Sequence, residues 1–119
     1  LEKAHKHRES VLDGIPKALP PLEKAYKIQS KIKKFEIEPS NIQESLNRID
    51  SLYEDFKKNI NENNEEKIKN KYGEILFAMT NFAKLSNFDA SEELRKVIKE
   101  FEKNFREKEM YINKNKRGG

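Results

Sequence analysis

The chain has 119 residues, enough for one domain and too few for a second independent core. Its 25 basic and 21 acidic residues leave a net charge of +4, which permits nucleic-acid binding without demanding it, and the absence of Cys excludes a disulfide framework or a thiolate metal site. No apolar run approaches the roughly 20 residues that span a bilayer and no signal peptide is recognisable, so cytoplasmic residence is expected, although the chain begins at Leu1 rather than Met.

Apolar residues make up only 34% of the chain and charged residues 39%, yet seven Phe and four Tyr recur at helical spacing. A thin helical core is expected, completed by a partner chain. Residues 1–10, "LEKAHKHRES", lack apolar periodicity and read as a basic arm; His5 and His7 there could chelate a metal only weakly. In "VLDGIPKALPPL" (11–22), Asp13-Gly14 marks a turn, and Pro20-Pro21 fit only before or within a first helical turn.

The first predicted helix carries Leu22, Ala25, Tyr26, Ile28, Ile32 and Phe35 and stops before Pro39. The second is capped by Ser40 or Asn41 and carries Ile42, Leu46, Ile49, Leu52/Tyr53, Phe56 and Ile60. After the polar stretch 61–67, the third carries Ile68, Tyr72, Ile75/Leu76, Met79, Phe82/Ala83 and Leu85. Asp89 caps a fourth helix that buries Leu94, Val97/Ile98, Phe101 and Phe105 before becoming almost wholly charged. With no strand-like alternation, the expected fold is an all-α bundle of four antiparallel helices. The division expected is a flexible arm over 1–18, a helical domain over 19–112 and a frayed basic tail over 113–119.

Little chemistry is visible from residue types alone. There is no nucleophile elbow or phosphate-cradling loop, because four scattered Gly supply neither. Carboxylates at helical spacing could clamp Mg²⁺ between two helices: Asp50, Glu54 and Asp55 on the second, Glu65, Glu66 and Glu74 on the third. In a chain this rich in charge, such spacing also arises by chance. The basic arm and Lys114, Lys116 and Arg117 suggest nucleic-acid binding, but no aromatic-interleaved basic face accompanies them.

Three segments resemble the C-terminal repeat of MazG-type nucleoside triphosphate pyrophosphohydrolases: Leu12-Asp13-Gly14-Ile15-Pro16, Leu19-Pro20-Pro21-Leu22 and Ala25-Tyr26-Lys27-Ile28-Gln29. The similarity continues through "YGEILFAMTNFAKLSNFDASEELRKVIKEFEKNF", residues 72–105, where Gly73, Ile75, Leu76, Phe77 and Asn81 match the family's scaffold. The resemblance implies a dimeric helical bundle that hydrolyses a nucleoside triphosphate to the monophosphate and pyrophosphate. It also implies an upstream MazG-like repeat in the full-length chain, Mg²⁺ as cofactor, and Lys27 and Gln29 as candidate substrate-binding residues. The Mg²⁺ would be held by Glu-Glu-x-x-Glu on the second helix and Glu-x-x-Asp on the third, activating a water.

At those positions the chain departs from the family. Ser51 and Leu52 replace two carboxylates, Asp55 keeps an acid, Lys71 replaces the Glu and Glu74 the Asp. Ile98 and Glu100 replace the family's Asn and Lys, and Glu36-Ile37-Glu38-Pro39 lacks its aromatic. A lysine in place of a glutamate reverses the local charge, and repulsion of a cation at about 4 Å is about 4 kcal/mol at an effective dielectric of about 20. The expected role is therefore a catalytically degenerate domain, structural, dimerising or regulatory, with no resident cofactor. Lys71 would lie between Asp55 and Glu74 in place of the cation. An active enzyme with an atypical carboxylate set, using Asp55 and Glu74 as metal ligands, is the alternative.

Overall fold

The computed structural model describes residues 9–118. His5, His7 and most of the basic arm lie outside them. The described residues form four α-helices and no strand: α1 (Pro21–Lys31), α2 (Ile42–Asn61), α3 (Glu65–Leu85) and α4 (Ala90–Gly118), with a 3₁₀ turn at Lys33–Phe35.

Local chemistry sets the helix boundaries. Pro21 occupies the first position of α1, where a missing N–H removes no intrahelical bond. The Asn41 side chain accepts from the Glu44 N–H at 2.8 Å, and the Ser40 N–H donates back to the Glu44 carboxylate at 3.4 Å, a reciprocal cap for α2. Asn64 caps α3 by accepting from the Lys67 N–H at 3.2 Å, and Asp89 accepts from the Ser91 N–H at 2.9 Å at the start of α4. The first helix is shorter than its apolar spacing predicts. It leaves α geometry after Lys31, tightens into the 3₁₀ turn and ends at Glu36 in the left-handed region with φ 56°. The last helix is longer: it continues to Gly118, past residue 113 where its charged composition predicts fraying.

The dominant packing is α2 against α3, joined by the three-residue link 62–64. The start of α2 lies beside the end of α3, where the Asn81 amide donates to the Pro39 carbonyl at 3.1 Å. α1 lies across α3, held by the Gln29 amide donating to the Phe77 carbonyl at 2.9 Å. Along α2 the inward stripe is Ser45, Ile49, Leu52, Phe56 and Asn59, with steps of three and four residues. Phe56 meets Tyr72 of α3 with ring centroids 6.3 Å apart.

Several residues predicted to be core are on the surface. Ile42, Leu46, Tyr53 and Ile60 form a second apolar stripe on α2, and Tyr72, Leu76 and Met79 form one on α3; all are exposed. On α4, every residue from Glu92 through Lys116 is exposed, including Leu94, Val97, Ile98, Phe101 and Phe105. The periodicity is present, but nothing among the described residues covers it. Among the described residues, the buried apolar side chains are Leu52, Ala78 and Ala83.

The shape follows from α4. A 29-residue helix is about 43 Å long, and α4 packs sparsely on α1 and α3, with every residue exposed from Glu92 through Lys116. The radius of gyration is 20.3 Å, against about 13.5 Å for a compact chain of this length. Accessible surface is 9889 Å², against about 6,700 Å² for a compact monomer of 14.1 kDa. Among the described residues, no helix is long and apolar enough to cross a membrane.

Candidate functional site

The positions singled out by sequence fall on the facing parts of α2 and α3. Ser51 and Asp55 are exposed, whereas Leu52, one residue from Ser51, is 7% exposed and packs into the helix–helix contact. Helical geometry requires this split, because successive residues lie about 100° apart around the axis. On α3, Lys71 and Glu74 are half-buried one turn apart, with Lys71 Nζ 3.0 Å from Glu74 Oε1. The ammonium thus neutralises the carboxylate from within its own helix.

Asp55 and Lys71 share a cavity of about 390 Å³ between α2 and α3. Its walls carry three ammonium groups (Lys58, Lys67, Lys71), two amides (Asn59, Asn70) and two carboxylates (Asp55, Glu62). Glu74 lines an adjacent opening of about 520 Å³ with Glu38, Arg48, Lys69, Gly73 and Phe77, and Asn70 lies on both. A Cβ on Gly73 would meet no atom within 4 Å. Packing therefore does not require glycine there, and its lack of a side chain leaves that wall open.

Lys71 pairs with one of the two surviving acids. Its ion pair is to Glu74, and among the described residues none joins it to Asp55. The other carboxylates do not converge: Asp50 is exposed, Glu54 pairs with Lys57 at 3.1 Å, and Glu65 and Glu66 occupy the first turn of α3, where the helix dipole favours them. No group of three His, Cys, Asp or Glu side chains able to hold a metal ion forms among the described residues. Mg²⁺ depends on converging oxygens and on carboxylate charge, so this donor set does not fit it.

The two residues proposed from the resemblance to touch substrate are placed elsewhere. Lys27 is exposed on α1, and Gln29 is 2% exposed with its amide committed to the Phe77 carbonyl. Neither lines the two cavities between α2 and α3. Gln29→Ala is expected to lower unfolding free energy by about 1–3 kcal/mol through loss of this bond and its buried packing. Lys27→Ala should stay within about 0.5 kcal/mol. Urea denaturation of both variants checks the contrast.

Sequence reasoning missed Asn59, Asn70 and Arg48. Asn59 was recoverable, since it extends the three-and-four spacing of Ser45, Ile49, Leu52 and Phe56, but the apolar Ile60 beside it takes the place in a hydrophobicity-based stripe. Asn59 is 6% exposed, and its Nδ2 has no hydrogen-bond partner among the described residues. A buried donor left unpaired costs about 1–3 kcal/mol.

No protein-family model matches the chain. Two curated proteins are similar to it, the nucleoside triphosphate pyrophosphohydrolases of Escherichia coli strain K12 and of Escherichia coli O157:H7. Each is 30% identical over 116 residues, a span covering 93% of this chain and 43% of the relative. The chain thus spans less than half the length of the curated relatives it matches.

Proposed function

We propose that this chain, assigned by similarity over 93% of its length to the MazG-type nucleoside triphosphate pyrophosphohydrolase family, is a catalytically degenerate domain whose role is dimerisation, structural or regulatory. The observation that carries this reading is the Lys71–Glu74 ion pair at 3.0 Å, which occupies the positions where the resemblance implies two metal-binding carboxylates. Leu52 adds to it, because the side chain at another implied ligand position is part of the packing between α2 and α3.

Dimerisation draws its support from surface. The chain exposes roughly 3,000 Å² more than a compact monomer of its mass, and a stable interface removes about 800 Å² or more from each partner. The apolar stripe of α4 and the outer stripes of α2 and α3 are the faces for a second copy. Since the relatives extend well beyond the matched span, a second MazG-like repeat in the full-length protein is the proposed source of catalysis.

The test is pyrophosphate release from each nucleoside triphosphate with Mg²⁺ or Mn²⁺. Turnover at the level of the protein-free blank is expected. Metal-dependent turnover that disappears in Asp55→Ala and Glu74→Ala would instead establish the alternative, an active hydrolase with an atypical carboxylate set.

A further inference from the structure

The positive excess of the chain is concentrated in one stretch. Residues 24–35, "KAYKIQSKIKKF", hold five lysines and no acid, so against a total of +4 the rest of the chain nets −1. Lys24, Lys27 and Lys31 recur at steps of three and four on α1, on the side away from Leu22, Ala25 and Gln29. Lys33 and Lys34 follow in the 3₁₀ turn, and all but Lys24 are exposed. Among the described residues, none of the five joins an ion pair. Two openings, of about 470 and 710 Å³, share Lys31 and Lys34, and the larger adds Lys33 and the hydroxyls of Ser30 and Ser40. Each also carries one exposed carboxylate, Glu9 in the smaller and Glu36 in the larger. The last residue of the turn, Phe35, is 52% exposed, with Lys34 Nζ 5.7 Å from its ring centroid.

We propose that this basic face binds single-stranded nucleic acid, with the lysines on backbone phosphates and Phe35 stacked on a base. Charge complementarity selects a polyanion. An accessible aromatic ring among the lysines selects one whose bases are free to lie on it, which a duplex does not offer. A helix resting on an anionic bilayer inserts its apolar face. On α1 that face is already engaged: Leu22, Ala25 and Ile28 are half-buried beside Gln29, whose amide ties the helix to α3. None of the five lysines lines the cavities between α2 and α3, so the proposal stands apart from the question of nucleotide turnover.

The probe is a fluorescein-labelled single-stranded oligonucleotide of about 12 residues, titrated with the full chain at low salt and read by fluorescence anisotropy. A dissociation constant at or below about 100 µM is expected, rising with salt on a log–log slope of about 3 for roughly four phosphate contacts. Lys31→Gln/Lys34→Gln changes two exposed side chains and should fold normally by circular dichroism. It is expected to weaken binding at least about tenfold and to lower the salt slope by about 1. Phe35→Ala should weaken binding about tenfold, yet leave affinity for an abasic oligomer of the same length unchanged. Lys99→Gln/Lys103→Gln, equally exposed on α4, should bind as the wild type does. Absence of saturable binding, equal weakening by the α4 variant, or a Phe35→Ala variant that binds the oligonucleotide normally would overturn the proposal. So would equal affinity for a duplex of the same sequence, or attachment to phosphatidylserine vesicles without oligonucleotide binding.

Discussion

Replacing Phe101 and Phe105 together by aspartate is expected to convert a dimer of this chain into monomers. The two rings are 69% and 53% exposed on α4, one turn apart on a stripe that also contains Leu94, Ile98 and Ile112. Burying a Phe side chain contributes about 1.5–3 kcal/mol, and a two-fold interface uses each residue twice. Four lost rings therefore remove roughly 6 kcal/mol or more, roughly a ten-thousand-fold weakening before the new like charges are counted. Sedimentation velocity at micromolar protein measures it. The wild type should sediment as a dimer and the double variant as a monomer; a monomeric wild type, or a variant that stays dimeric, would remove α4 from the interface.

Leu52→Glu should destabilise the fold by about 3–5 kcal/mol, while Ser51→Glu, one residue away, should stay within about 0.5 kcal/mol. By the resemblance both positions are metal ligands. In this chain one is solvent-exposed and the other is 7% exposed within the packing of α2 on α3. A carboxylate at Leu52 would replace apolar contact and bury charge beside Ile49 and Phe56. Natural domains are stable by about 5–15 kcal/mol, and so few buried apolar residues place this chain low in that range. Unfolding free energies from urea titration decide the matter. Equal stability of the two variants would mean that Leu52 is not core and that the ligand set could be restored at small cost.

The helices were legible because local chemistry specifies them. Pro21, Asn41 and Asp89 sit at their starts, and steps of three and four apolar residues run through each. What the periodicity could not say is what covers each face. Leu46, Tyr53 and Ile60 and the α4 stripe follow the same rule as Leu52, yet among these only Leu52 is covered by the described residues. An apolar stripe records a need for burial, which another helix or another molecule can meet equally. Asn59 and Ser45 escaped for the opposite reason: they are polar residues inside the α2–α3 contact, so hydrophobicity passes over them.

The candidate site divides the same way. The charge reversal at Lys71 was readable from residue identity, and its pairing with Glu74 follows from a three-residue spacing on a helix. The lack of an ion pair to Asp55 depends on the relative placement of two helices, which no local pattern encodes. The cavity between α2 and α3 was invisible for that reason: its lysines and amides come from positions 58–71 on both sides of the link.

Binding of Mn²⁺, followed by the loss of free-ion electron paramagnetic resonance signal during titration, tests the central claim most directly. A domain whose Glu74 is neutralised by Lys71, and whose Asp55 faces lysines, should show no saturable site at or below about 1 mM. Saturable Mn²⁺ binding that disappears in Asp55→Asn and in Glu74→Gln would contradict it.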